Sequence, residues 1–279
     1  FGLDRLKQYW IKPRGRGYYQ LSDEIKKVTD DESYERLKPY LYDKYRAQVA
    51  VEDAAQYKKM HDDGDLVMWI TVDGFFYFPR TLFGIEEHLF AFYDKPELMH
   101  RMNQDQADFI NYIIDEVSET IQPDFMTFAE DMSYNLGPML SEEMFDEFLL
   151  PYYRQTVPRV EEAGIIPIVD TDGQLEAMIP WLKRAGIRGA LPLERKAGVD
   201  INRVRKNYPD FLIIGGYDKM VMSVSEQAMR EEFERLLPVM RSGGYIPSVD
   251  HQTPPEVSLD NYRIYLKLLE EYCIKGAVK

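Results

Sequence analysis

Six apolar stretches of this chain end in acidic residues, and those ends are where chemistry is expected. They are Asp73, Glu130 with Asp131, Asp170 with Asp172, Glu194, Asp218, and Asp250 with His251. Taken singly, each reads as a helix cap or a solvated loop acid. If the ends meet in space, the carboxylates repel one another and cannot all stay ionised without compensation. Three compensations are available: a bound metal ion, a cationic substrate, or carboxylates kept protonated as general acids. An oxygen-rich set with one imidazole suits zinc, manganese or magnesium. A carboxyl group beside His251 makes a proton-transfer pair.

The elements that must position these residues repeat one plan. Ile165-Ile-Pro-Ile-Val169 reads as a strand that delivers Asp170, Thr171, Asp172 and Gly173 to its carboxyl end. Leu66–Val72, Phe125–Ala129, a run following Ile187, Phe211–Ile214 and Tyr245–Val249 read the same way. Between them lie helical patterns: one opening near Lys95-Pro96-Glu97, one opening at Ser141, and a last one running from Ser258 through Leu269. Gly164 and Gly186 close two helices as C-cap residues at positive φ. Six βα units of this kind imply an α/β fold with a parallel sheet, open or closed into a TIM-type (β/α)8 barrel. No glycine-rich dinucleotide fingerprint or phosphate loop is present, which favours the barrel. A barrel requires two further strands, and because the chain begins at Phe1, residues preceding it are the expected place for them.

Residues 1–279 are read as one domain, with 1–65 a less regular amino-terminal part. Trp10–Tyr19 suits an ordered loop or hairpin, in which Arg14 and Arg16 either hold an anion or are solvated. Asp30–Met60 looks helical with one solvated face. Phe75, Phe76, Tyr77 and Phe78 are either core or a cation–π surface. His61, His88 and His100 are read as structural or solvated.

Composition narrows the function classes. The 279 residues are 45% hydrophobic and 13% aromatic, enough for a sizeable core. A formal net charge of −14 argues against nucleic acid or an anionic membrane as partner. The single cysteine, Cys273, excludes a disulfide framework and a multi-cysteine metal site, and fits a reducing cytoplasm. Neither a membrane span nor a signal peptide is visible. A homodimer is compatible with the chain.

Glu130-Asp-Met-Ser-Tyr-Asn-Leu-Gly-Pro-Met-Leu-Ser141, Phe148-Leu-Leu-Pro-Tyr-Tyr153, Asp170-Thr-Asp-Gly173, Pro192-Leu-Glu194, Gly215-Gly-Tyr-Asp218 and Gly243-Gly-Tyr-Ile-Pro-Ser-Val-Asp-His251 resemble the uroporphyrinogen decarboxylase superfamily. The resemblance covers roughly residues 66–272 and implies the eight-stranded barrel. That superfamily also holds zinc methyltransferases serving corrinoid proteins. His251 falls where the decarboxylases keep a histidine near the substrate, whereas their Arg-Gln-Ala-Gly-Arg motif is not found here. The thiol-activating methyltransferases carry His-x-Cys where this chain reads Asp170-Thr-Asp172, and a second Cys near Asp250. Aspartates at these places argue for a harder oxygen site or no metal.

The preferred expectation is a methyltransferase acting on a small methylated amine or ether with a corrinoid carried by a partner protein. The alternatives are a tetrapyrrole decarboxylase without cofactor, and a non-catalytic small-molecule-binding barrel. Asp170, Asp172 and Asp250 are expected to hold zinc, another divalent metal or the substrate's cationic group. His251 is the expected acid or base, with Glu130 or Glu194 orienting it or completing the ligand set. Tyr77, Asp131, Tyr134 and Asp218 are the expected substrate contacts.

Overall fold

The structure is a computed structural model that describes residues 5–277. The described residues form nine strands: β1 (Leu6–Ile11), β2 (Val67–Asp73), β3 (Phe125–Ala129), β4 (Ser133–Tyr134), β5 (Gly137–Pro138), β6 (Ile166–Asp170), β7 (Gly189–Leu191), β8 (Leu212–Tyr217) and β9 (Tyr245–Val249). Seven of them alternate with helices, the α/β plan read from the sequence. The eighth strand of the expected barrel is not among the described residues. The chain divides into two compact units, Phe1–Asp131 with Leu140–Ile168 and Trp181–Ile187, and Met132–Met139 with Val169–Pro180 and Arg188–Lys279.

In the first unit β1, β2 and β3 are parallel, with Ile11 opposite Val72 and Asp73 opposite Ala129. β2 is almost wholly buried, through Met68, Ile70 and Val72, because helices cover the sheet. The helix Pro96–Thr120 begins with proline and buries Leu98, Met102, Phe109, Ile113 and Val117 at helical spacing. It packs against the helix Leu150–Glu162. Phe75, Phe76 and Phe78 are fully buried, so the aromatic stretch is core and its continuation is the helix Tyr77–Phe83.

β1 lies in the segment read as less regular. Its residues alternate between exposed and half-buried until Ile11, and Lys7 and Gln8 give it a polar composition that conceals a strand. The helices Asp31–Leu37, Tyr45–Ala55 and Lys58–Asp62 match the expected helical stretch.

In the second unit Thr171 N, just past β6, donates to Leu191 O at 3.0 Å. β7, β8 and β9 are parallel, with Gly189 opposite Leu212 and Tyr217 opposite Val249. Gly215 adopts φ +105, and a Cβ there would stand 1.9 Å from Pro192 O, so no side chain fits where β8 passes the end of β7. The helices Glu226–Arg241 and Leu259–Gly276 pack on each other through Phe233, Tyr265 and Tyr272. Ser258 accepts from Asn261 N at 3.1 Å, the expected cap of the last helix.

His88 is buried between Phe76 and Phe92, at ring distances of 4.7 and 4.8 Å, and neither ring nitrogen has a hydrogen-bond partner among the described residues. Burial, aided by the nearby Arg80 charge, pushes its pKa down to about 3. The unfolded chain therefore binds a proton that the folded one refuses between the ordinary value near 6.5 and about 3. Stability held above pH 6.5 is lost as pH falls through that window, by roughly 3–5 kcal/mol from this residue. In denaturant titrations at stepped pH, His88→Leu is expected to reduce the acid-induced loss by that amount. An unchanged pH profile would show that His88 is not the group responsible.

Candidate active site

Two clusters of functional side chains form at strand ends, one in each unit. In the first, Asp73 at the end of β2 is fully buried. Its Oδ1 accepts from Trp10 Nε1 at 2.7 Å, and Arg14 Nη1 stands 3.9 Å from its Oδ2. Burial raises the Asp73 pKa, against the opposing pull of the Trp10 N–H and the Arg14 charge. Its Oδ2 has no hydrogen-bond partner among the described residues. Tyr77 is half-buried, and its hydroxyl is pushed up by burial and by the Asp73 charge.

Glu130, at the end of β3, is fully buried. Its carboxylate accepts from the backbone N–H groups of Phe75 at 2.8 Å, Phe76 at 2.7 Å and Tyr77 at 3.1 Å, and from the Tyr153 hydroxyl. Four donors fill a carboxylate's acceptor positions and place the negative charge at the start of the helix Tyr77–Phe83. A Cβ on Gly74 would stand 2.2 Å from the Glu130 carboxyl carbon, so glycine is required beside this anchor. The contacts of Glu130 tie the end of β3 to the start of the helix Tyr77–Phe83. Asp131 sits at φ +46 and is held there by Arg80, which donates to its carbonyl at 2.7 Å and to its carboxylate.

In the second unit four consecutive strand ends contribute. Asp250, fully buried, accepts from Arg195 N at 2.8 Å on one oxygen and from Lys219 N at 3.2 Å on the other. Lys219 Nζ lies 3.4 Å from Asp250 Oδ1 and 3.2 Å from Glu194 Oε1. Glu194 also accepts from Gly173 N at 3.3 Å. His251 Nε2 lies 3.2 Å from Asp172 Oδ2, and this pair is partly exposed, 35% for His251 and 41% for Asp172. Burial raises the Asp250 pKa, while the Lys219 ammonium and the two backbone donors pull it back.

The expected site residues thus divide. His251 Nε2 and Asp172 Oδ2 lie within hydrogen-bond distance, so these two expected residues do meet. Glu194 and Asp250 are drawn together by Lys219. Asp218 accepts from Met220 N at 2.9 Å and caps the turn Lys219–Ser223, so the capping alternative applies to it. Tyr134 is 48% exposed on β4, near Gly173. Asp170 ends β6 and is half-buried. The three aspartates expected to share a metal are not gathered around one point: among the described residues no group of three or more His, Cys, Asp or Glu side chains could hold an ion. An ammonium already sits against Asp250, and its charge opposes a second cation there. The residues present do not fit a metal centre of the expected kind. Lys219 was missed because it directly follows Asp218, in a turn where only the acid was weighed.

These strand ends carry a partly exposed His–Asp pair beside two carboxylates that share the Lys219 ammonium. The sequence model of the family described as uroporphyrinogen decarboxylase (URO-D) matches residues 80–272, and the chain belongs to that family. Among solved structures, a methyltransferase from Methanosarcina mazei superposes with a TM-score of 0.58 at 12% identity, covering 94% of this chain and 71% of that one. At that identity the likeness concerns the fold. No curated protein matches the chain by sequence. No helix of the described residues is long and apolar enough to cross a membrane.

The two acid groups of the second unit are expected to differ sharply in energetic weight. Asp250→Ala leaves a buried ammonium and two backbone donors short of a partner and is expected to cost about 3–5 kcal/mol in urea unfolding. Asp172→Asn disturbs a partly exposed pair and is expected to cost less than about 1 kcal/mol. Equal costs would contradict this assignment.

Proposed function

We propose that this chain is the substrate-activating part of a methyltransferase that works with a corrinoid protein and takes a small methylated amine or methyl ether. The observation that carries the reading is the Asp172–His251 pair at 3.2 Å beside Glu194, Asp250 and Lys219, a group with more acids than bases. Such a surface favours a cationic or neutral donor and opposes a substrate bearing many carboxylates. Lys219 supports the same reading, because Glu194 and Asp250 already engage it. Membership of a family described as uroporphyrinogen decarboxylase keeps decarboxylation as the second reading.

The chemistry assigned to the chain is proton transfer. With Nε2–H donating to Asp172, Nδ1 is the nitrogen that exchanges a proton with the substrate. As an imidazolium, His251 donates that proton to the oxygen or nitrogen that loses its methyl group, and Asp172 stabilises the cation until the proton leaves. The corrinoid on the partner protein supplies the methyl acceptor. No step is assigned to a resident metal.

Methyl transfer to reduced free cobalamin, followed by its absorbance, tests the reading with methylamines and methoxylated aromatics as donors. His251→Ala is expected to lower kcat/KM by about 10²–10⁴ with a methyl ether, whose leaving oxygen needs a proton. Decarboxylation of uroporphyrinogen without methyl transfer would overturn the reading in favour of the lyase. Full stability with neither activity nor binding would leave a non-catalytic role.

A further inference from the structure

The structure assigns Lys219 a role beyond that reading: we propose that it is the positioning residue of the site, an internal cation whose clamp on Glu194 and Asp250 fixes the loop that presents His251 to Asp172. The proposal rests on the proton-transfer role given to His251 and names what holds that side chain in place.

His251 follows Asp250 directly, and the segment after it is exposed over much of its length, with one backbone hydrogen bond of its own from Val257 N to Pro254 O at 3.1 Å. Asp250, in contrast, is held on every side. Its N–H donates to Tyr217 O at 2.9 Å, and its carboxylate takes the N–H groups of Arg195 and Lys219 together with the Lys219 ammonium. These partners come from the ends of β7 and β8, so the residue preceding His251 is pinned to both neighbouring strand ends. On the other side, Glu194 bonds Gly173 N, the residue after Asp172. A closed circuit results, running from Asp172 and Gly173 to Glu194, on to Lys219, to Asp250 and His251, and back to Asp172. Lys219 is the one cation among these side chains and touches both carboxylates. Without it, two largely buried anions would repel across the centre of the circuit, driving apart the very loops that carry Asp172 and His251. Its own side chain is only 9% exposed, so water does not substitute for it.

Tautomer-sensitive nitrogen NMR of the substrate-free protein reads this directly, through exchange protection of the His251 Nε2 proton held by Asp172. Lys219→Met, checked for a native circular dichroism spectrum, is expected to speed that exchange by at least about tenfold, while Lys219→Arg, which keeps the charge, restores protection. Should Lys219→Met not fold, Lys219→Gln, which removes the charge but keeps a polar side chain, is the second variant, and the same loss of protection is expected. Protection equal to that of the unaltered protein in a folded variant lacking the ammonium would overturn the proposal. The measurement involves no substrate, so it stands apart from the methyl-transfer assay, and failure of that assay in the unaltered protein counts only against the proposed function. Where methyl transfer is observed, Lys219→Met is expected to lower kcat by about 10²-fold with KM changed less than about threefold, the pattern of misplacement rather than lost binding.

Discussion

A carboxylate withdrawn from water must find its counter-charge or its donors within the protein, and this constraint governs every strand end of the molecule. Glu130 meets it with three backbone N–H groups and a tyrosine hydroxyl, Asp250 with two backbone N–H groups and an ammonium, and Asp73 with an indole N–H and a more distant guanidinium. The solutions differ in consequence. Backbone donors tie a carboxylate to the start of a helix or turn and leave it no chemistry. An ammonium ties two acids to each other and offsets one of their two charges. Asp172, in contrast, is partly exposed and faces the imidazole of His251.

This difference explains how much of the protein is legible from its sequence. Period and punctuation carry the architecture: Gly164 and Gly186 stand at φ +75 and +86 where helix ends were expected, and Ser258 caps the last helix. β3 and β9 lie where the apolar runs place them. β1 escaped because an alternating, half-exposed strand containing Lys7 and Gln8 carries no continuous apolar run. The acids were found as a class, but their roles were not separable, because whether an acid anchors a helix or faces solvent depends on donors far away in sequence. Glu130 is served by residues more than fifty positions upstream, and Asp250 by Lys219, thirty-one positions before it. Nothing local to either acid signals this.

The argument about metal follows from the same electrostatics. Three aspartates at strand ends read naturally as oxygen ligands when no cation is assigned to them. Once Lys219 stands between Glu194 and Asp250, the demand for positive charge at that point is met by a side chain. The single cysteine, Cys273, is an exposed residue of the last helix.

An ammonium in such a place differs from an ion in what it permits. A divalent metal polarises a substrate directly and exchanges its ligands, whereas a buried lysine shared by two carboxylates has most of its charge already engaged. In the function proposed above, activation comes instead from the imidazole of His251, paired with Asp172, the partly exposed acid of the circuit. Charge balance supports that division of labour: an ammonium shared by two carboxylates sets the geometry, and a partly exposed pair is the proposed site of proton transfer.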